Sequence, residues 1–199
     1  GDPLWYMDEK DANKNPTGRR VTTNDYSSAD YYYVNKSSLP KVYGGFNTSL
    51  SWKGFDLSAI FAYSIGGYIY NRDITMILHN GSLEGRDWST EILRRWTPDN
   101  RYTDVPALST TSNNWNSAST RFLQNNSYMR LKNLTLSYNL PKQWISKLSL
   151  SSVQVYVQGD NLFTIHRNQG LDPEQGITGI TYYRYPAMRT ISGGINVSF

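Results

Sequence analysis

Residues 191–199, ISGGINVSF, carry the pattern that decides the fold. Side chains in an extended strand alternate between faces with period two. Ile191, Gly193, Ile195, Val197 and Phe199 therefore point one way, and Ser192, Gly194, Asn196 and Ser198 the other. One face is apolar and the other polar. The stretch closes on Phe199, an apolar ring beside a carboxylate, where a soluble domain more often carries a frayed polar tail. An edge strand of a soluble β-sandwich shows the same alternation, so these residues leave two architectures open: a sandwich, or a barrel whose apolar face meets lipid.

Upstream, the same period recurs. In 155–164 and just before it, Val153, Val155 and Val157 alternate with Gln154, Tyr156 and Gln158. Residues 128–140 (YMRLKNLTLSYNL) alternate too, but the apolar parity shifts between Leu131 and Leu134, which predicts a bulge. Earlier, Phe46, Thr48, Leu50 and Trp52 alternate with Asn47, Ser49 and Ser51. After Lys53-Gly54, Phe55, Leu57, Ala59, Phe61 and Tyr63 continue the pattern. Two alternating runs around a Gly-containing turn predict an antiparallel hairpin.

The connections sort by length. Lys53-Gly54 and 141–150 are short, with one helical turn expected over 142–148; 71–126 and 165–186 are long and polar. In an antiparallel meander alternate connections lie at the same end, so short turns gather on one side and long loops on the other. That asymmetry is the mark of an outer-membrane barrel, and a sandwich gives no reason for it. The fold expected is thus all-β: a loop and hairpin segment over 1–41, then barrel strands over 42–199 with long loops at 71–126 and 165–186. A short helix is expected over 87–96 (DWSTEILRRW), capped by Asp87 and ended at Thr97-Pro98.

Composition agrees and excludes several classes. The 199 residues hold 16 Tyr, 6 Trp and 6 Phe, a mixture suited to strands. Lys and Arg number 20 against 16 Asp and Glu, a net charge of +4 with the basic residues scattered, so the stripe of a nucleic-acid binder is missing. With no cysteine there is no disulfide framework or thiolate metal site. No apolar run reaches the ~20 residues of a membrane-spanning helix; the negative mean hydropathy does not bear on barrels, whose strands are short and alternating. The abrupt start at Gly1 without a Met leads us to expect a piece of a larger protein.

Motifs for chemistry are sparse. Within a hairpin expected from 3–9 and 19–23, Asp11, Asn13 and Asn15 repeat the first half of a calcium loop, but Pro16 stands where that loop needs Gly and Thr22 where it needs Glu. A solvated turn is the simpler account. His79 and His166 lack the spacing of zinc ligands. Asp172 and Glu174 could in principle share acid–base work, yet two carboxylates in a Pro-containing turn are more often solvated. Asp160-Asn161 reads as a bulge or turn. No nucleophile with its base stands out, so the sequence reads as no enzyme, with no cofactor and no metal.

Several segments taken together resemble the C-terminal region of SusC/RagA-type TonB-dependent receptors. They are SLPKVYGGFNTSLSWKGFDLS (38–58), RRWTPDN with TDVPAL (94–108), SYMRLKNLTLSYNLP (127–141), VYVQGDNLFT (155–164), GLDPE (170–174) and YPAMRTISGGINVSF (185–199). The resemblance implies an outer-membrane nutrient importer of Bacteroidetes, a plugged barrel of roughly 22 strands that takes up oligosaccharides or peptides. It further implies a SusD-like lipoprotein lid, the TonB complex and membrane lipid as partners, and a barrel assembly signal at Ile195, Val197 and Phe199. The plug and early strands are not present in this chain. The competing function is a soluble carbohydrate-binding β-sandwich module.

On the barrel reading, Leu57, Ala59, Phe61, Val153, Val155, Val157, Ile195, Val197 and Phe199 meet lipid, while Ser58, Gln154, Gln158, Asn196 and Ser198 line a wet lumen. Trp52, Tyr63, Tyr138 and Trp144 then lie at headgroup level. In the long loops Trp88, Trp96, Trp115, Tyr182 and Tyr183 either stack on ligand or lid protein, or simply pack the loops. Cut from its barrel, the sheet is expected to curl, or to stack on a second copy, with its apolar face inward, since burial stabilises by about 25 cal/mol per Å².

Overall fold

The computed structural model describes all residues except 82, 84, 110–113, 169, 175 and 182; of Leu148 only the backbone is described. Among the described residues nine strands follow in chain order: β1 (Trp5–Lys10), β2 (Pro16–Thr23), β3 (Val42–Trp52), β4 (Phe55–Ile65), β5 (Tyr68–Tyr70), β6 (Leu123–Asn125), β7 (Tyr128–Asn139), β8 (Ser152–His166) and β9 (Thr190–Ser198). The chain forms two compact units. One comprises Gly1–Lys36, Tyr70–Leu123 and Ile180–Tyr183, the other Ser37–Ile69, Gln124–Gly179 and Arg184–Phe199.

The second unit is built on a five-stranded sheet in the order β3-β4-β7-β8-β9, every neighbour antiparallel. Strands adjacent in the meander are adjacent in the sheet, as expected. Lys53-Gly54 and the 140–151 connection lie at one end, the connections 66–127 and 167–189 at the other. The turn at Lys53-Gly54 takes left-handed φ values of 47° and 88°, the conformation two-residue hairpins need. A short helix, Lys142–Ile145, and the 3-10 turn Ser146–Leu148 fill the other short connection, as the sequence suggests.

Registration lines the apolar residues into rows across all five strands. Trp52, Phe55, Tyr138, Val155 and Ile195 form one row, and Leu50, Leu57, Leu136, Val157 and Gly193 the next. Between them on the opposite face run Ser51, Asp56, Ser137, Tyr156 and Gly194. The parity shift in β7 is a bulge at Lys132: Ile60 opposes Asn133 while Phe61 opposes Leu131. On the other side of β7, Asn161 and Leu162 fall in the matching irregularity, and Asn161 takes φ of 52°. The bulge keeps Leu131 and Leu134 on one face although they are three apart, because one residue is absorbed without a partner.

The sheet does not turn its apolar face inward, and this corrects the expectation for the isolated chain. Val155 is 43% and Ile195 65% exposed, and the band of Leu50, Leu57, Leu136 and Val157 is exposed with them. Burial goes to the polar face instead, where Arg130 and Ser137 are buried and Gln154 and Gln158 are half-buried. Returning loop residues bind Arg130 there, which fixes that face as the covered one. No second sheet packs on the apolar face among the described residues, so the sandwich is set aside.

The first unit contains the β1–β2 hairpin, paired from Trp5 with Thr23 to Lys10 with Pro16. Its turn is organised by Asp11, whose Oδ1 accepts from the Asn13 N–H at 2.8 Å and the Asn15 N–H at 2.9 Å. That oxygen serves the turn's own amides, which is the solvated-turn account and not the calcium loop. Leu78, Ile92, Val105 and Trp115 form a small core with Ile74 against it. The helix expected over 87–96 is a shorter 3-10 turn, Thr90–Arg94, capped by Ser89 through the Glu91 N–H rather than by Asp87. Its apolar side offers only Ile92 to the core while Leu93 is exposed, too little to hold a longer amphipathic helix. A helix the sequence reading passed over, Arg72–Ile77, is capped by Asn71, whose side chain accepts from the Ile74 N–H.

Candidate functional site

In the first unit, segment 94–108 folds back on itself and makes one wall of a cavity. The TPDN turn closes through Asn100 N–H to Thr97 O at 3.0 Å, with Pro98 supplying its fixed φ. The Asn100 side chain donates to Arg94 O, and Trp96 N–H bonds Val105 O at 2.8 Å. These bonds place Trp96, Thr103, Asp104, Val105 and Pro106 along a space of about 660 Å³ that residues 1–5, Trp115 and residues 119–121 also line. That volume lies within the range of small-ligand pockets.

Two carboxylates, Asp2 and Asp104, and one guanidinium, Arg121, are among the residues lining this cavity. Arg94 pairs with Glu91 and holds Asp104 at 3.4 Å. Arg121 lies over the rings of Phe122 at 5.3 Å and Trp115 at 5.7 Å, and makes no ion pair among the described residues. Burial pushes its guanidinium pKa below the usual value, with Asp104 acting in the opposite sense. Its Nη1 and the Trp5 Nε1 are shielded from water and have no acceptor among the described residues.

The aromatic candidates from the sequence are placed differently from one another. Trp96 and Trp115 line this cavity, Trp115 at 2% exposure as part of the loop core. Trp88 is exposed over part of its ring, and its Nε1 donates to His79 Nδ1 at 3.0 Å. Tyr183 is exposed and anchored by its N–H to Asp73 Oδ1 at 3.1 Å. Tyr182 lies outside the described residues. Trp5 and Arg121 were not singled out from sequence; a Trp at the start of a hairpin strand and a lone Arg in a polar loop carry no spacing that joins them.

In the second unit, a set of charges also missed from sequence ties a long loop to the sheet. Arg130, on the polar face of β7, donates to Thr164 Oγ1 and to Glu174 Oε2 at 2.8 Å, and to Asp172 Oδ1 at 2.5 Å. Lys132 at the bulge bonds both Glu174 oxygens at 2.6 Å. Asp172 also accepts from the N–H groups of Glu174 and Ala187. The turn carboxylates are therefore not simply solvated, as the sequence reading had them: the strand supplies cations that the linear pattern does not pair with them. Burial raises the Asp172 pKa, but the hydrogen bonds from Ala187, Glu174 and Arg130 outweigh it and leave the pKa below its ordinary value. Asn126 adds a second tie, donating to Pro173 O and accepting from Asn168.

The assembly-signal residues sit on the last strand. Ile195 pairs with Val155 and Val197 with Val153, while Phe199 follows β9 with its ring exposed. At the same end Trp52 and Trp144 are exposed, and the rings of Phe55 and Tyr138 pack with centroids 4.5 Å apart, tilted by 37°.

A single antiparallel meander with an uncovered apolar face, a polar opposite face and connections sorted by length defines the wall of an outer-membrane β-barrel. No family model matches the chain. It is 34% identical over 166 residues to TonB-dependent receptor P3 of Formosa agariphila, across 78% of this chain and 16% of that protein. Identity to TonB-dependent receptor P26 of the same organism is 31% over 182 residues, and to TonB-dependent receptor SusC of Bacteroides thetaiotaomicron 27% over 168 residues. The whole chain superposes on 21% of a chain in the closed-closed structure of the RagAB peptide importer, with a TM-score of 0.81 and 35% identity. The chain belongs to the SusC/RagA-type TonB-dependent receptors, and spans about a fifth or less of the relatives it matches.

Proposed function

We propose that this chain serves as the C-terminal wall of an outer-membrane importer for oligosaccharides or peptides, working with a SusD-like surface lipoprotein and energised through TonB. The observation that carries the reading is the continuous apolar band across all five strands, from Trp52 to Ile195, opposite a polar face that a long loop covers. An apolar face of this breadth is stable when lipid covers it, and the polar face then lines a wet lumen. The open edges of β3 and β9 suit pairing with further strands, which removes the unpaired backbone groups. The likeness to RagAB, a peptide importer, favours peptides among the two substrate classes, and the likeness to SusC keeps oligosaccharides in view. Import rather than catalysis is the function we assign.

Deleting 195–199 in the receptor tests the barrel assignment. The truncation should lose outer-membrane assembly, read by surface labelling and fractionation; normal surface levels would overturn the reading. Loss of growth on peptides or on oligosaccharides as sole nutrient, after deletion of the gene, then separates the two substrates.

A further inference from the structure

We infer that the second unit holds a binding site for one uncharged sugar ring, lined by Tyr43, Ser64 and Tyr128 on the polar face of the sheet. The inference rests on the import reading and deepens it, by choosing oligosaccharides from the two substrate classes. Strand register sets the three residues in one row, Tyr43 on β3 opposite Ser64 on β4, and Ser64 opposite Tyr128 on β7. The tyrosines stand two strands apart, roughly 9–10 Å, with the small Ser64 between them. In the next row on that face Gly45 and Ala62 leave the space unfilled. The loop residues that close it are pinned by Ser38 Oγ, which donates to Ile177 O at 2.7 Å, and by Asn126, which donates to Pro173 O at 2.8 Å. These segments bound about 330 Å³, the small end of ligand pockets and room for one ring rather than a chain.

The lining holds no Asp, Glu, Lys, Arg or His among the described residues. A charged ligand would leave water for a space without a counter-ion, which is costly. Tyrosine offers an apolar ring face with a polar tip, and a sugar ring has the matching character, C–H faces with a rim of hydroxyls. The hydroxyls of Tyr43, Ser64 and Tyr128 make no hydrogen bond among the described residues. All three residues are open to an entering molecule, since Tyr43 is 76% exposed and Ser64 and Tyr128 are half-buried. An aromatic side chain of a peptide would suit the rings but strand the Ser64 hydroxyl against an apolar surface, whereas a sugar hydroxyl pairs with it.

The test is calorimetric binding to the full receptor, purified in a detergent without a sugar headgroup. The probes are neutral tetrasaccharides of glucose, galactose, mannose and xylose, tetragalacturonate as the acid, and the peptide Ala-Phe-Ala blocked at both ends. We expect at least one neutral tetrasaccharide to bind tenfold or more tightly than both the acid and the peptide. For that sugar Tyr43→Ala should weaken binding tenfold or more, Tyr43→Phe less than that, and Ser64→Ala threefold or more. No binding of any neutral sugar, equal binding of the acid, a preference for the peptide, or unchanged binding in either Tyr43→Ala or Ser64→Ala overturns the proposal. If the Tyr43 variants do not assemble, Ser64→Ala decides alone. Import is read separately, by sugar uptake in cells. Uptake with sugar binding unchanged by both variants refutes this site and leaves the import reading, while variant-sensitive binding without uptake does the opposite.

Discussion

Arg130 and Asp172 meet at 2.5 Å with side chains only 3% and 7% exposed, joining the polar face of β7 to the loop that precedes β9. A charge removed from water this completely depends on its partner, and removing the guanidinium takes the ion pair from Asp172 while its bonds from the Glu174 and Ala187 N–H groups remain. Arg130→Ala should therefore destabilise docking of 167–189 by about 3 kcal/mol or more. Limited proteolysis and hydrogen exchange of that loop report the change, and unaltered protection would show that the contact is dispensable.

The same pair sets a pH dependence of definite sign. The Asp172 pKa is lowered in the folded protein from an ordinary value of 3.8. A depressed carboxyl pKa contributes stability that is fully present above the unfolded pKa and lost as pH falls through the folded one. Loop protection should thus stay constant from pH 7 to about 4 and fall only at greater acidity. Loosening between pH 5 and 6 would assign the control to another group.

Deletion of Lys132 should leave the faces of β7 as they are. The bulge absorbs one residue without a partner, so its removal sets Leu131 directly before Asn133, and plain alternation keeps Leu131 on the apolar face and Arg130 on the polar one. What is lost is the bond from Lys132 to Glu174. We expect the deletion and Lys132→Ala to weaken protection of the 167–189 loop by similar, small amounts in hydrogen exchange. Release as complete as in Arg130→Ala would show that the bulge itself holds the loop.

Lipid contact is tested by a matched pair of neighbours on β8. Val157 lies in the exposed apolar row and Gln158 on the opposite face. Val157→Arg should cost on the order of 2–4 kcal/mol where the strand crosses the apolar layer and depress surface levels. Gln158→Arg should be tolerated. Equal effects would argue against one face meeting lipid.

Strand existence, order and face were legible because period-two alternation survives wherever one side of a sheet meets an apolar medium. Even the bulge showed, as the three-residue step from Leu131 to Leu134. Helices were not legible to the same degree. Arg72–Ile77 is too short for a periodic signal, and the Thr90–Arg94 turn has a single buried anchor. The ion pairs of Arg130 escaped because they join residues 42 and 44 positions apart, and alternation says nothing about distant loops that return to a strand. The cavity escaped for a related reason: Trp5 and Arg121 come together only through the folding of two long segments.

Strand β8 is longer than a bilayer requires. A tilted strand of roughly 9–11 residues crosses the hydrocarbon layer, whereas β8 has 15 residues and its pairing with β9 ends at Asp160 and Thr190. Beyond that point β8 continues with β7 alone, to the pair of Tyr128 with His166. On the barrel reading the surplus stands off the membrane like a parapet, stepping down where the last strand begins. Arg130, opposite Thr164, belongs to this raised section. On the barrel reading its charge and the two carboxylates it holds are kept at aqueous height, while the outward rows below them, Trp52 to Ile195 and Leu50 to Gly193, carry no charged side chain.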